Sequence, residues 1–473
     1  MVQNQSKTPL FSKLKAFAES KPISFHVPGH KNGVIFPERA KEYFNHILKI
    51  DMTELTGLDD LHAPDGVIKE AEELAAGFFQ ADQTFFLVNG STSGNLAMIL
   101  ATCNPGDKVI VQRNSHKSIL HALELRGLHP IFISPSYDSK VYRYTSPSFS
   151  TLQDAINTYP DTKAVILTYP DYFGRTYEIE KMIDLAHAYR IPVLVDEAHG
   201  VHFSLGNPVP PSSLKLGADI VVQSAHKMAP AMTMSSYLHI KSDYVDKEKV
   251  AYYLQLLQSS SPSYPLLASL DIARYFLANL GEQEMIDIYQ SVVEVRHILG
   301  MSHHWEILPL SEKDDFLKIT LHVKHVDVSK IQGIFEKYGV YLELHTHNQL
   351  LFVHGLADFK YKRQLEKAVL SINEQLKIEE NSDTIDITGI FMKQVHELEL
   401  SYPIMNQLST KQVPLENGIG YIAAESVIPY PPGIPLILKG EKITETHLAT
   451  LKVLLEQGVT LQQRHSGFRI YLR

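Results

Sequence analysis

Lys227 closes the string Ser224-Ala225-His226-Lys227, directly after the apolar run Ala218-Asp219-Ile220-Val221-Val222, which reads as a buried strand. A lysine delivered there can attack an aldehyde once it loses its proton. Partial burial beside another cationic group lowers its pKa for that purpose. Upstream, Ile191-Pro192-Val193-Leu194-Val195 is a second apolar run, and it ends in Asp196-Glu197-Ala198-His199-Gly200. A carboxylate at that strand end can keep a pyridinium nitrogen protonated, so that the ring accepts electrons from a carbanion. A Schiff-base lysine and an aspartate for the ring nitrogen are the two protein groups that pyridoxal 5'-phosphate most needs. Taken singly, an aspartate at a strand end is a common turn residue and a lysine after a strand a common solvated one. The pairing of the two at the ends of successive strands points to the cofactor.

A cofactor of this kind also needs a phosphate site. The strand-like Thr84-Phe85-Phe86-Leu87-Val88 runs into Asn89-Gly90-Ser91-Thr92-Ser93-Gly94-Asn95 and then into the helical run 96–102. Glycines let backbone approach a phosphate, and hydroxyls with free amides at a helix N-terminus bind an anion; the same string also serves as an ordinary Ser/Thr cap. Between this loop and Asp196, the strand Val109-Ile110-Val111 feeds Gln112-Arg113-Asn114-Ser115-His116-Lys117-Ser118, where His116 is placed to stack on a ring. The strand 164–167 feeds Thr168-Tyr169-Pro170-Asp171-Tyr172-Phe173-Gly174. There Thr168 can bond the cofactor hydroxyl, and a Pro/Gly turn with buried aromatics is the alternative.

Over nearly its whole length the chain resembles the Orn/Lys/Arg decarboxylases, fold type I pyridoxal phosphate enzymes. The strings that carry the resemblance are His26-Val27-Pro28-Gly29-His30-Lys31, DMTELTGLDDL at 51–61, the NGSTSGN loop, 113–118, 196–200, 224–227, Pro429-Tyr430-Pro431-Pro432-Gly433-Ile434-Pro435 and Gly440-Glu441. HVPGHK and PYPPGIP are the specific ones, because the Asp and Lys strands are shared with aminotransferases. The resemblance implies roles: Lys227 for the Schiff base, Asp196 for the ring nitrogen, His116 for stacking and Ala198 for packing against the ring. It also implies Ser91, Thr92, Ser93, Ser224 and His226 at or near the phosphate, and His199 near the substrate. The chain departs from longer members at 171–174 and in the methionine-rich stretch 228–234, which leaves substrate identity open. It reads as the short form, without the receiver-like N-terminal domain of long members.

The implied fold is α/β, with a large domain built on a mostly parallel seven-stranded sheet and smaller α/β C-terminal domains. The expected boundaries are an arm at 1–30, the cofactor-binding domain at 31–265, a small α/β domain at 266–380 and a C-terminal domain at 381–473. Patterning agrees: strands and helices alternate from 71 to 237, and 259–265 (SSSPSYP) is a break. Residues 266–295 read as helical, and a β-α-β-β-α order follows from 316 to 376. The segment 1–21 reads as an amphipathic helix, and Glu379-Glu380-Asn381-Ser382-Asp383 as a polar linker.

At 473 residues, with 44% hydrophobic and 21% charged residues, the chain supports two or three domains and no extensive disorder. Its single cysteine, Cys103, forms no internal disulfide, which fits a reducing cytoplasm. Lys7, Lys13 and Lys15 interrupt any signal-like core, and no apolar run reaches spanning length, so no membrane partner is expected. A net charge of -9 argues against nucleic acid and suits a cationic substrate. His303-His304 and His345-Thr346-His347 lack acidic or sulfur partners at ligand spacing, so no metal is expected.

The resemblance implies decarboxylation of a basic amino acid, with arginine (to agmatine) ahead of lysine and ornithine, feeding polyamine synthesis. Lys227 or His199 would return the proton to Cα. A buried distal cation needs an acid, and Glu425, just before PYPPGIP, is the candidate, reaching across a homodimer or higher homo-oligomer. The rivals are an aminotransferase or aldolase-like lyase, for which Arg464, Arg469 and Arg473 are the late candidates for a carboxylate clamp, and a cofactor-binding regulatory protein without turnover.

Overall fold

The computed structural model describes residues 4–377, 391, 393–430, 435–456, 459–461 and 467–472. The linker 379–383, the middle of the PYPPGIP string (431–434), Arg464 and Arg473 lie outside the described residues.

Seven short runs rich in Val, Ile, Leu and Phe form strands: β1 (Gln83–Leu87), β2 (Lys108–Gln112), β3 (His129–Ile133), β4 (Ala164–Thr168), β5 (Val193–Asp196), β6 (Ile220–Gln223) and β7 (Ser236–Ile240). β5, β6 and β7 are buried along their whole length, as expected of strands covered on both faces. The sheet has the order β1-β7-β6-β5-β4-β2-β3, completed beside β3 by Val395–Glu397. It is mostly parallel; β7 runs antiparallel to both β1 and β6, and Val395–Glu397 antiparallel to β3. The sheet thus has eight strands where seven were expected. Three residues, two of them polar, carry too little alternation to reveal the eighth.

The chain divides into two compact units, 1–103 with 167–169 and 179–281, and 104–166 with 170–178 and 282–473. In the first, the N-terminal helix is Pro9–Glu19, started by a proline whose missing N–H costs nothing at that position. It buries Leu10 and Leu14 and donates the Leu10 and Phe11 amides to Asp271, which is fully buried and paired with Arg274 at 2.6 Å. Asp271 lies on Tyr264–Ala278. The long helical stretch read from the sequence is two helices, this one and Glu282–Leu299, parted at Asn279-Leu280-Gly281.

In the second unit, Trp305–Ile307, Lys318–Val323, Gln349–Val353 and Leu344–His345 form an antiparallel sheet in that order, accompanied by the helices Val328–Lys337 and Lys362–Gln375. The second strand of the β-α-β-β-α order is short, Leu344–His345, and Tyr341 ahead of it faces solvent. The same unit joins three of the family strings. Arg113, 1% exposed, donates to the carbonyls of Pro435 and Leu436 and pairs with Glu441 at 2.6 Å, with the Phe391 ring 4.7 Å from its guanidinium carbon. Among the described residues no helix is long and apolar enough to cross a membrane.

Candidate active site

The site grows from the C-terminal ends of β5 and β6, which are paired in parallel with Asp196 opposite Val222. Asp196 is 2% exposed. Its Oδ2 accepts a hydrogen bond from Asn95 Nδ2 at 3.0 Å and its Oδ1 from the Ala198 amide at 3.2 Å. A carboxylate has about four acceptor positions, so two donors fix it and leave room for a ring N–H. After β6 the chain makes the short helix Ala225–Met228, in which Ala225 and Met228 take the buried positions and Lys227 is exposed. The expected partial burial of Lys227 is therefore not seen in the single chain. Its neighbour is an imidazole, with Lys227 Nζ 3.0 Å from Nε2 of the buried His199.

The loop expected to hold the phosphate lies at the start of the helix Gly90–Thr102. Asn89 makes no side-chain cap bond there, so the first amides of the helix are not capped by Asn89. Gly90 has φ +74°, and a Cβ at Gly94 would lie 2.7 Å from Leu87 and 2.9 Å from Val222, so the helix seats directly on β1 and β6. Ser91 accepts from the Ser224 hydroxyl at 2.8 Å, which ties the loop to the lysine segment, and Thr92 is exposed. Ser93 is buried, its hydroxyl donating to the Gly90 carbonyl. His226 directs Nδ1 to the Ser235 carbonyl at 3.0 Å. Burial, partly opposed by that carbonyl and reinforced by the charge of Lys227, holds its pKa below the ordinary imidazole value. Thr168 ends β4, and the next amide, Tyr169, donates to the Asp196 carbonyl at 3.1 Å.

The first unit thus brings together Lys227, His199, Asp196, Ala198, Ser91 and Ser224 through these contacts. The acceptor capacity left on Asp196 and the anion-ready helix start both fit pyridoxal phosphate. His116 and Glu425 belong to the second unit. His116 is exposed and caps the helix Lys117–Arg126, Nδ1 accepting from the Ser118 amide. Glu425 lines a cleft of about 530 Å³ with Lys117, His121, Glu124, Tyr402 and Lys439, and its Oε1 is buried with no hydrogen-bond partner among the described residues. Asn95, Glu197 and Gln223 had no role in the sequence reading. Their signal was a polar residue at the edge of an apolar run, just before it for Asn95 and just after it for Glu197 and Gln223.

Sequence profiles for the Orn/Lys/Arg decarboxylase major domain and C-terminal domain match residues 8–320 and 384–472. The chain belongs to the Orn/Lys/Arg decarboxylase family. It is a pyridoxal-phosphate-dependent decarboxylase of basic amino acids. Among its relatives, the uncharacterised protein YaaO of Bacillus subtilis is 43% identical over 463 residues, 96% of each chain. The arginine decarboxylase of the same organism is 35% identical over 97% of this chain and 96% of its own length. The constitutive lysine decarboxylase of Escherichia coli is 22% identical, and the alignment spans 98% of this chain and 79% of that one. The solved structure of that enzyme superposes with a TM-score of 0.80 at 19% identity, covering 99% of this chain and 82% of the other, which establishes the shared fold.

Proposed function

We propose that this family member decarboxylates arginine to agmatine, with lysine and ornithine next in order, and so supplies polyamine synthesis in the cytoplasm. The observation that carries the reaction is the Lys227–His199 contact at 3.0 Å beside an aspartate held by two donors. Support for arginine comes from end-to-end similarity to an arginine decarboxylase at 35% identity, against 22% for the longer lysine enzyme.

Bound pyridoxal phosphate supplies the conjugated ring that takes up the electron pair left when carbon dioxide departs. In this reading Asp196 holds a proton at the ring nitrogen. Ser91, Thr92, Ser93, Ser224 and His226 hold or surround the phosphate, with the helix amides that follow Gly90, whose own N–H donates to the Met234 carbonyl. Thr168 serves the ring hydroxyl, and Ala198 and His116 serve its faces. Lys227 captures the cofactor, and Lys227 or His199 delivers the proton to Cα. Glu425 receives the distal cation of the substrate, which its oxygen without a partner among the described residues favours.

The working form in this proposal is a homodimer or larger homo-oligomer. Its support is the run of exposed apolar side chains Ile23, Phe25, Val27, Val34, Ile35 and Tyr43, with Phe25 94% exposed. The proposed domain boundaries remain an arm at 1–30 and domains at 31–265, 266–380 and 381–473. Release of labelled carbon dioxide from arginine, lysine and ornithine tests the substrate. Equal or greater kcat/KM for lysine or ornithine would overturn the arginine assignment.

A further inference from the structure

The last backbone bond between β5 and β6 is Glu197 N–H to the Val222 carbonyl, at 2.9 Å. Beyond it the two chains part, one toward His199 and the other toward Lys227, yet the tips of those side chains return to within 3.0 Å of each other. The Gln223 side chain spans the parting, Nε2 donating to Glu197 Oε1 at 2.6 Å and reaching the Gly200 carbonyl at 3.5 Å. Glu197 is fully buried. It also accepts from the Ser212 hydroxyl at 2.9 Å, the Ser213 amide at 2.6 Å and the Ser213 hydroxyl. Gly200 leaves it room, since a Cβ there would lie 2.6 Å from Glu197 Cγ.

Two N–H groups and two hydroxyls converge on this carboxyl and partly offset the burial that pushes Glu197 up to about 7, and the N–H donors set the partners behind them. Gln223 must turn its amide N–H toward Glu197, so its carbonyl oxygen faces His239 Nε2 at 3.0 Å. His239 must therefore carry its proton on Nε2, which leaves Nδ1 to accept from the Thr84 hydroxyl at 2.8 Å. The chain of bonds crosses β5, β6, β7 and β1 in one direction.

We propose that Glu197 is a positioning residue for decarboxylation: through Gln223 it fixes the ends of β5 and β6 so that His199 and Lys227 meet. Glu197 itself touches neither of them, and its action is on their separation. The inference rests on Lys227 and His199 being the reacting pair.

The test compares Glu197→Gln, the exchange variant Glu197→Gln/Gln223→Glu, and Ser213→Ala. In the exchange variant the amide oxygen introduced at position 197 accepts from Ser213, and the N–H group beside it donates to the carboxylate introduced at position 223. That carboxylate still accepts from His239, so the network closes again. Two quantities are read: the rate at which the apoprotein captures added pyridoxal phosphate on Lys227, and the split of kcat from KM. Glu197→Gln should slow capture and lower kcat by about ten-fold or more with KM little changed, because an ångström of misplacement is that costly. Ser213→Ala should give a smaller loss of the same kind, and it carries the test should Glu197→Gln not fold. The exchange variant should recover most of both quantities. Capture and kcat unchanged in the folded single variants, or no recovery in a folded exchange variant, would overturn the inference. Borohydride trapping separates the two ideas: label on another lysine defeats the reacting pair, whereas label on Lys227 with unchanged capture defeats only the role of Glu197.

Discussion

Replacing Asp196 by asparagine removes one charge and keeps the shape. Two donors converge on the carboxylate, from Asn95 at 3.0 Å and from the Ala198 amide at 3.2 Å. An asparagine oxygen can serve one of them and leaves its own N–H group facing the other. The variant therefore loses the charge that keeps a ring nitrogen protonated and gains a donor-donor conflict. Loss of a preorganised charge opposite developing charge typically lowers turnover by about 10²–10³-fold, and the conflict adds to that, so a fall of roughly 10³-fold is expected. At 1.36 kcal/mol per decade this is about 4 kcal/mol of transition-state stabilisation. Carbon dioxide release from arginine measures it, with cofactor absorbance recorded on the same sample to show that the site stays loaded. Turnover within ten-fold of the parent at full loading would mean that Asp196 is a strand-end residue and no more.

Borohydride reduction of the yellow holoprotein should fix the pyridoxyl group on Lys227, which peptide mapping reads directly; another lysine, or none, contradicts the assignment. Glu425→Gln should raise KM for arginine by roughly ten-fold or more while cofactor affinity holds, because a desolvated cation would lose its counter-charge. Mixing that variant with Lys227→Ala should restore activity if sites are shared between subunits, and no restoration under exchanging conditions argues for self-contained sites. Glu72 is buried and accepts from the Phe86 amide at 2.8 Å, and burial pushes it up to about 8 against an ordinary 4.5. Its folded value is the higher one, so the stability it contributes is full below about pH 4.5 and is lost as pH rises through 8. Glu72→Gln should thus melt like the parent at pH 4.5 and hold an increasing advantage toward pH 8; a gap that does not grow with pH refutes this.

Much of this architecture was legible because the strands are short runs of branched apolar residues, and a run such as Ile191-Pro192-Val193-Leu194-Val195 ending in Asp196 announces both its burial and its polar tip. The helix Gly90–Thr102 was legible from the Gly-Ser-Thr start that opens it. What escaped was decided by tertiary contact. Ser93 reads like its neighbours, and only the fold shows its hydroxyl donating to Gly90. Lys227 is exposed because the short helix after β6 buries Ala225 and Met228 instead. Asn95 and Gln223 look like incidental polar residues until their partners 101 and 26 positions away are in place. Val395–Glu397 has no pattern of its own and becomes a strand by pairing with β3.

The turn between β6 and β7 is pinned at both ends, with the Ser235 carbonyl accepting from the His226 amide and ring and the Met234 carbonyl accepting from the Gly90 amide. Met232 lies within the turn and Met234 is itself an anchor through its carbonyl, and both side chains are more than 40% exposed. Exposed thioethers are the side chains most open to conversion to sulfoxides, a change that leaves backbone bonds alone. Peroxide treatment should therefore mark this turn early, and its methionines become a built-in gauge of oxidative wear that can be read by mass while the anchors on either side still hold.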